Sequence, residues 1–98
     1  MSHWSHRLPS MQLKVIVYCK VRSLAGHSFL ISVQEDNSIL EVKKAVERVA
    51  GVPWQQQHLV FGSRQLEDES TLAELAILTG YTLYCTPTTV QIPNMPNL

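Results

Sequence analysis

One segment limits the folds open to this chain more than any other: SILEVKKAVERVAG, residues 38–51, carries the full punctuation of a helix. Ser38 suits an N-cap, and Glu41 three residues later completes a capping box. Ile39, Val42, Val46 and Val49 fall at i, i+3, i+7 and i+10 and form one apolar stripe. Gly51 suits the C′ position, and Pro53 forbids continuation. The β-branched valines are weak helix formers, so burial of the stripe, rather than propensity, must hold this helix. The flanking segments have the two-residue period of strands. The predicted architecture is therefore α+β, one helix covering one face of a mixed sheet of four to five strands.

The strands are read from alternation. In LKVIVYCKV, from Leu13, Val15, Val17, Cys19 and Val21 alternate with Lys14, Ile16, Tyr18 and Lys20. Ser23–His27 reads as a turn in which Gly26 is free to take positive φ. SFLISVQ then places Phe29, Ile31 and Val33 on one face, so the first two strands form a hairpin. After Pro53 come a short strand at Leu59–Phe61, a turn at Gly62-Ser63 and a brief pairing at Gln65-Leu66. Thr71 and Glu74 form a second, weaker capping box that opens a one-turn helix over Leu72–Leu75. A last strand, Tyr81–Thr86, points Leu83 and Cys85 inward and ends at Pro87. The first and last strands, both long and apolar, are the expected central pair. Residues 1–12 have no periodicity and read as a disordered leader, 13–87 as the domain, and 88–98, with Pro93 and Pro96, as a flexible tail.

Composition narrows the function. The 98 residues fit one domain, and 45% hydrophobic with 16% charged residues is a globular balance. A formal net charge of zero gives no basic footprint for nucleic acid. No apolar run approaches the roughly 20 residues of a membrane span, and MSHWSHRLPS lacks the apolar centre of a signal peptide. A soluble intracellular monomer, cytoplasmic with a nuclear location also allowed, is the expectation. Cys19 and Cys85 are too few for a disulfide framework or a cysteine zinc site and read as buried thiols. Adjacent Glu67, Asp68 and Glu69 cannot bracket a substrate as paired catalytic carboxylates do. Ser63, Ser70 and Thr71 have no base and orienting group beside them. No metal, cofactor or enzymatic activity is expected.

The stretches GVPWQQQHLVFGSRQLEDESTL, SLAG at residues 23–26 and SILEVKKAVERVAGVP together resemble ubiquitin and its relatives. The motifs G-[IV]-P, Q-Q-x-L-[IV]-F and Q-L-E-D-x-x-T-L occur in the family's order. The likeness runs from about Val17 to Thr86 without gaps. SLAG, QQHL and the valine-rich helix are also similar to interferon-induced, modifier-type members. The resemblance implies a ubiquitin-like β-grasp. It implies that Gln57 is a buried amide bonded to backbone near the helix end, and that Lys43 pairs with Asp68. It also staggers Cys19 and Cys85 by about four residues on adjacent parallel strands, roughly 13 Å apart, beyond the ~7 Å reach of a disulfide, so free thiols are expected.

Leu59-Val60-Phe61 carries the functional expectation. If Leu59 and Phe61 point into the core, Val60 must point out. In ubiquitin-like domains the matching aliphatic centres a protein-binding patch. By position Leu24, Val60, Tyr84 and Thr86 would form it here, rimmed by His58, Arg64 and Gln65. Tyr84 and Thr86 depart from the family's histidine and aliphatic residue. The implied partners are ubiquitin-receptor helical domains, ligases, deubiquitinases or proteasome subunits, with neither nucleic acid nor membrane. Gln91 and Ile92 stand where a conjugated modifier carries Gly-Gly, and no glycine follows Gly80. Of the chain-forming lysine positions only Lys43 is kept, the others holding Arg22, His27, Arg64 and Thr79. The expectation is a non-conjugating interaction domain acting in the ubiquitin pathway. The alternatives are one domain of a larger modifier or multidomain protein, and a purely structural β-grasp domain.

Overall fold

The computed structural model describes residues 10–19 and 24–87. In chain order it contains β1 (Met11–Cys19), β2 (Leu24–Val33), α1 (Ile39–Ala50), a short 3₁₀ turn (Trp54–Gln56), β3 (Gln57–Phe61), β4 (Arg64–Gln65) and β5 (Thr82–Pro87). The strands form one sheet in the order β2-β1-β5-β3-β4. β1 and β5 are parallel neighbours inside it, and the other pairs are antiparallel. The helix covers one face, and the core lies between. This is the expected β-grasp with its expected central pair.

β1 starts two residues before the expected Leu13. Met11 continues the inward alternation and is buried opposite Val33, while Gln12 points out, so the strand takes in the last two residues of the expected leader. Residues 1–9 of that leader, and all of the expected tail, lie outside the described residues.

The expected turn at Ser23–His27 is largely strand. Leu24–His27 belong to β2, and Gly26, at φ +86°, is a bulge where the register slips between Val17↔His27 and Tyr18↔Ala25. One extra residue reverses the alternation beyond it along the pairing with β1. Leu24 therefore falls opposite buried Cys19 and packs against the core.

α1 is capped as its sequence specifies. Ser38 Oγ accepts from Glu41 N at 3.2 Å, and Glu41 Oε1 accepts from Ser38 N at 2.8 Å. Two further N-terminal amides, Ile39 N and Leu40 N, donate to the carbonyls of Ser70 (2.8 Å) and Asp68 (3.2 Å). A neighbouring loop thus satisfies donors that a helix start leaves without partners. Gly51 closes the helix in the left-handed region, its N–H bonded to Glu47 O. Ile39, Val42, Ala45 and Val46 are buried, but Val49 is exposed. Val52, just past Gly51, is buried in the core.

The second capping box also forms, with Thr71 N to Glu74 Oε1 at 3.0 Å and Glu74 N to Thr71 Oγ1 at 3.1 Å. It opens a hydrogen-bonded turn rather than a helix, ended by Ala76 at φ +57°. The pairing beyond Gly62-Ser63 uses Arg64–Gln65, and Leu66, which follows, is buried.

Both cysteines are buried and unpaired. Their stagger is two residues, not four, because Cys85 sits opposite Val17. The Cα atoms are then about 8 Å apart from strand rise and spacing, still outside disulfide range. No helix among the described residues is long and apolar enough to cross a membrane.

Candidate protein-interaction face

The face of the sheet away from α1 holds the candidate site. Val60 lies directly opposite Tyr84, which lies opposite Ile16. On the far side Val60 faces Gln65, and one step along β3 His58 faces Thr86. Side chains directly opposite each other on adjacent strands share a face. The register therefore brings Ile16, Tyr84, Val60 and Gln65 into one row, with Thr86 and His58 beside it. Tyr84 is 40% exposed and Val60 half-buried, an apolar centre within polar neighbours.

Two expected members are not in this row. Leu24 packs into the core from the other face because of the Gly26 bulge. Arg64 stands opposite Phe61 rather than Val60, so by the same rule it belongs to the other face of the sheet. Ile16 was missed, and Tyr18 and Leu30 with it. All three are on this face, with Tyr18 42% and Leu30 67% exposed. The signal was the alternation of LKVIVYC, which sets Ile16 and Tyr18 opposite the inward valines.

The base of β3 is fixed by polar bonds to the helix. Gln57, 1% exposed, donates through Nε2 to Lys43 O and Val52 O, both at 2.9 Å. Lys43 Nζ reaches Asp68 Oδ1 at 2.6 Å, tying α1 to the following loop. Both contacts implied by the resemblance are present. His58, next to Gln57, has its imidazole held below the usual histidine range, first by burial and then by the Lys43 charge, with Asp68 opposing. Its Nδ1 lies 2.7 Å from Gln65 Nε2, which suits a neutral ring accepting from the amide. Burial pushes the Cys85 thiol up to about 12, so it is no nucleophile at neutral pH. Among the described residues no group of three or more His, Cys, Asp or Glu could hold a metal ion.

Comparison with known proteins agrees with this geometry. The sequence profile of the ubiquitin family matches residues 19–88. Ubiquitin-like protein NEDD8 of Dictyostelium discoideum is 34% identical over 65 residues, 66% of this chain and 84% of that protein. Ubiquitin-like protein 4A of Xenopus tropicalis is 40% identical over 60 residues, 61% of this chain and 40% of that longer protein. Among solved structures, the UBL domain of Plasmodium falciparum Dsk2 superposes with a TM-score of 0.72 at 19% identity, covering 81% of this chain and 99% of that one. The profile match begins at the last residue of β1, so β1 is recognised by its place in the sheet. With the helix caps, the Gln57 and Lys43 contacts and the sheet order in agreement, the chain belongs to the ubiquitin family.

Proposed function

We propose that this chain is a non-conjugating ubiquitin-like interaction module that binds ubiquitin-receptor helical domains through the row Ile16–Tyr84–Val60. Ligases, deubiquitinases and proteasome subunits are further partner classes of the same kind. The observation that carries the reading is Val60 set directly opposite Tyr84 on the face away from the helix. An apolar helix laid on that row would cover a valine, an isoleucine and a tyrosine ring, the last a residue type favoured at binding hot spots. Gln65, His58 and Thr86 supply polar neighbours. The module acts by binding rather than by catalysis. Gln91 and Ile92 at the positions of a Gly-Gly support a role that needs no covalent attachment.

The test is amide-shift mapping with a ubiquitin-receptor helical domain. Shifts are expected at Ile16, Val60, Tyr84 and Thr86, and Val60→Arg should weaken binding at least about tenfold. Shifts confined to α1, or unchanged affinity for Val60→Arg, would refute the reading. A second reading, one domain of a longer protein, is supported by the match to only part of the ubiquitin-like 4A protein. There the same face would pack against a neighbouring domain, and Val60→Arg would disturb that contact instead.

A further inference from the structure

β2 lies at one margin of the sheet, with no described strand beyond it. The direction of its backbone groups that no described strand pairs follows from β1. Gln12 N donates to Thr79 Oγ1 at 2.9 Å, Gln12 O accepts from Gly80 N at 2.7 Å, and Lys14 N donates to Tyr81 O at 3.1 Å. Even-numbered residues of β1 thus turn their polar main chain toward β5. Odd-numbered ones turn toward β2 and meet Val33, Ile31 and Phe29 from Met11, Leu13 and Val15. Alternation then sends the N–H and C=O groups of Ser28, Leu30 and Ser32 off the sheet.

This margin lacks the usual safeguards. LAGHSFLISV contains no Lys, Arg, Asp, Glu or Pro, the residues that commonly keep an edge strand from pairing. The Gly26 bulge distorts only its start. Leu30, at its middle, is 67% exposed, the highest among the exposed large hydrophobic side chains described.

We propose that β2 pairs antiparallel with β2 of a second copy of this chain, about a two-fold axis at Leu30. In that register Leu30 meets Leu30, and Ser28 meets Ser32 in both directions. Every outward-facing residue then occupies a bonded position, giving six inter-chain main-chain hydrogen bonds. A two-fold interface must be self-complementary, and a strand without Lys, Arg, Asp or Glu places no such like charges opposite each other. It also offers nothing to select an acidic or basic peptide. The nearest Lys or Arg among the described residues is Lys14, opposite Leu30 on β1. Its two copies would lie three strand spacings apart, about 14 Å, beyond the ~8 Å screening length. One paired strand per chain buries less than about 1,200 Å², so the dimer is weak and reversible. The axis is perpendicular to the sheet, leaving both Val60 faces open on the same side.

The test uses the full 98-residue chain, followed by sedimentation and amide NMR from about 20 μM to about 1 mM, the range of a weak interface. The expected result is a concentration-dependent rise toward twice the chain mass. Shifts and slowed amide exchange should centre on Ser28, Leu30 and Ser32. Leu30→Lys, which sets two ammonium groups face to face, should abolish the effect. Ser28→Pro removes two of the six bonds without touching the β1 ladder and should weaken it at least about tenfold. A single-chain mass at the highest concentration would overturn the proposal. So would shifts centred on Val60 and Tyr84, or a Leu30→Lys protein that associates as the wild type does.

Discussion

The Lys43–Asp68 pair is unequal, and the inequality can be measured. The Lys43 side chain is 10% exposed and the Asp68 side chain 36%, with Nζ and Oδ1 2.6 Å apart. Asp68→Asn leaves an almost buried ammonium without its counter-charge. Breaking a fully buried pair costs about 3–5 kcal/mol. Because Asp68 is partly solvated and the asparagine oxygen can still accept a hydrogen bond, about 2 kcal/mol is expected here. Lys43→Met removes the buried charge, fills the space of its stem with apolar atoms and returns a partly hydrated carboxylate to water. Its effect should be within about 0.5 kcal/mol of zero. For a domain of this size 1 kcal/mol moves the melting temperature by about 4–8 °C, so Asp68→Asn should lower Tm by about 8–16 °C and Lys43→Met hardly at all. The double variant should be as stable as Lys43→Met alone, because the aspartate matters only while the cation is there. Thermal and urea unfolding of all four proteins at pH 7 measures the cycle. A Lys43→Met protein as damaged as Asp68→Asn would show that the pair contributes as an attraction between equals, and the reasoning from burial would fail.

Two further outcomes follow from the ionisable groups. The folded-state pKa of His58 is lowered below the ordinary 6.5, so the unfolded chain binds more protons between the two values, and stability should fall as pH drops from above 6.5 toward the folded value. Unfolding midpoints across that window give the sign. In Lys43→Met the ring should titrate closer to 6.5 by NMR, and no movement would remove Lys43 as a cause. With Cys85 pushed up to about 12 and both thiols buried, the native protein should resist alkylation at mildly alkaline pH while the denatured chain reacts at both cysteines; rapid native labelling of Cys85 would contradict its burial.

What the sequence revealed was what local chemistry specifies. Ser38, Glu41, Gly51 and Pro53 act on backbone within a few residues, so the helix and its limits were legible. Gln57 and Lys43 followed from resemblance, because their neighbouring residues match the family's motifs. The errors come from effects with no local signature. Gly26 suits a turn and a bulge equally well, yet only the bulge reverses the alternation, so Leu24 was placed on the wrong face. Matching positions without gaps through the first hairpin misjudged the offset of the two cysteines. It also could not reach Ile16, which lies before the matched residues. The stripe on α1 put Val49 with the buried residues, but the helix leaves it exposed while Val52, beyond Gly51, is buried.

The last of the described strands is not at the margin of the sheet but inside it. β5 lies between β1, made first, and β3, made midway. During synthesis the earlier parts can form a hairpin and a helix, yet they have no common partner until Thr82–Pro87 has left the ribosome. Until then the nascent chain presents unmatched strands on both sides of an empty slot. A chain stalled just before Thr82 would consequently be a client for chaperones and proteases rather than a slightly shortened domain, and the release of Thr82–Pro87 is the step that commits it to a native state.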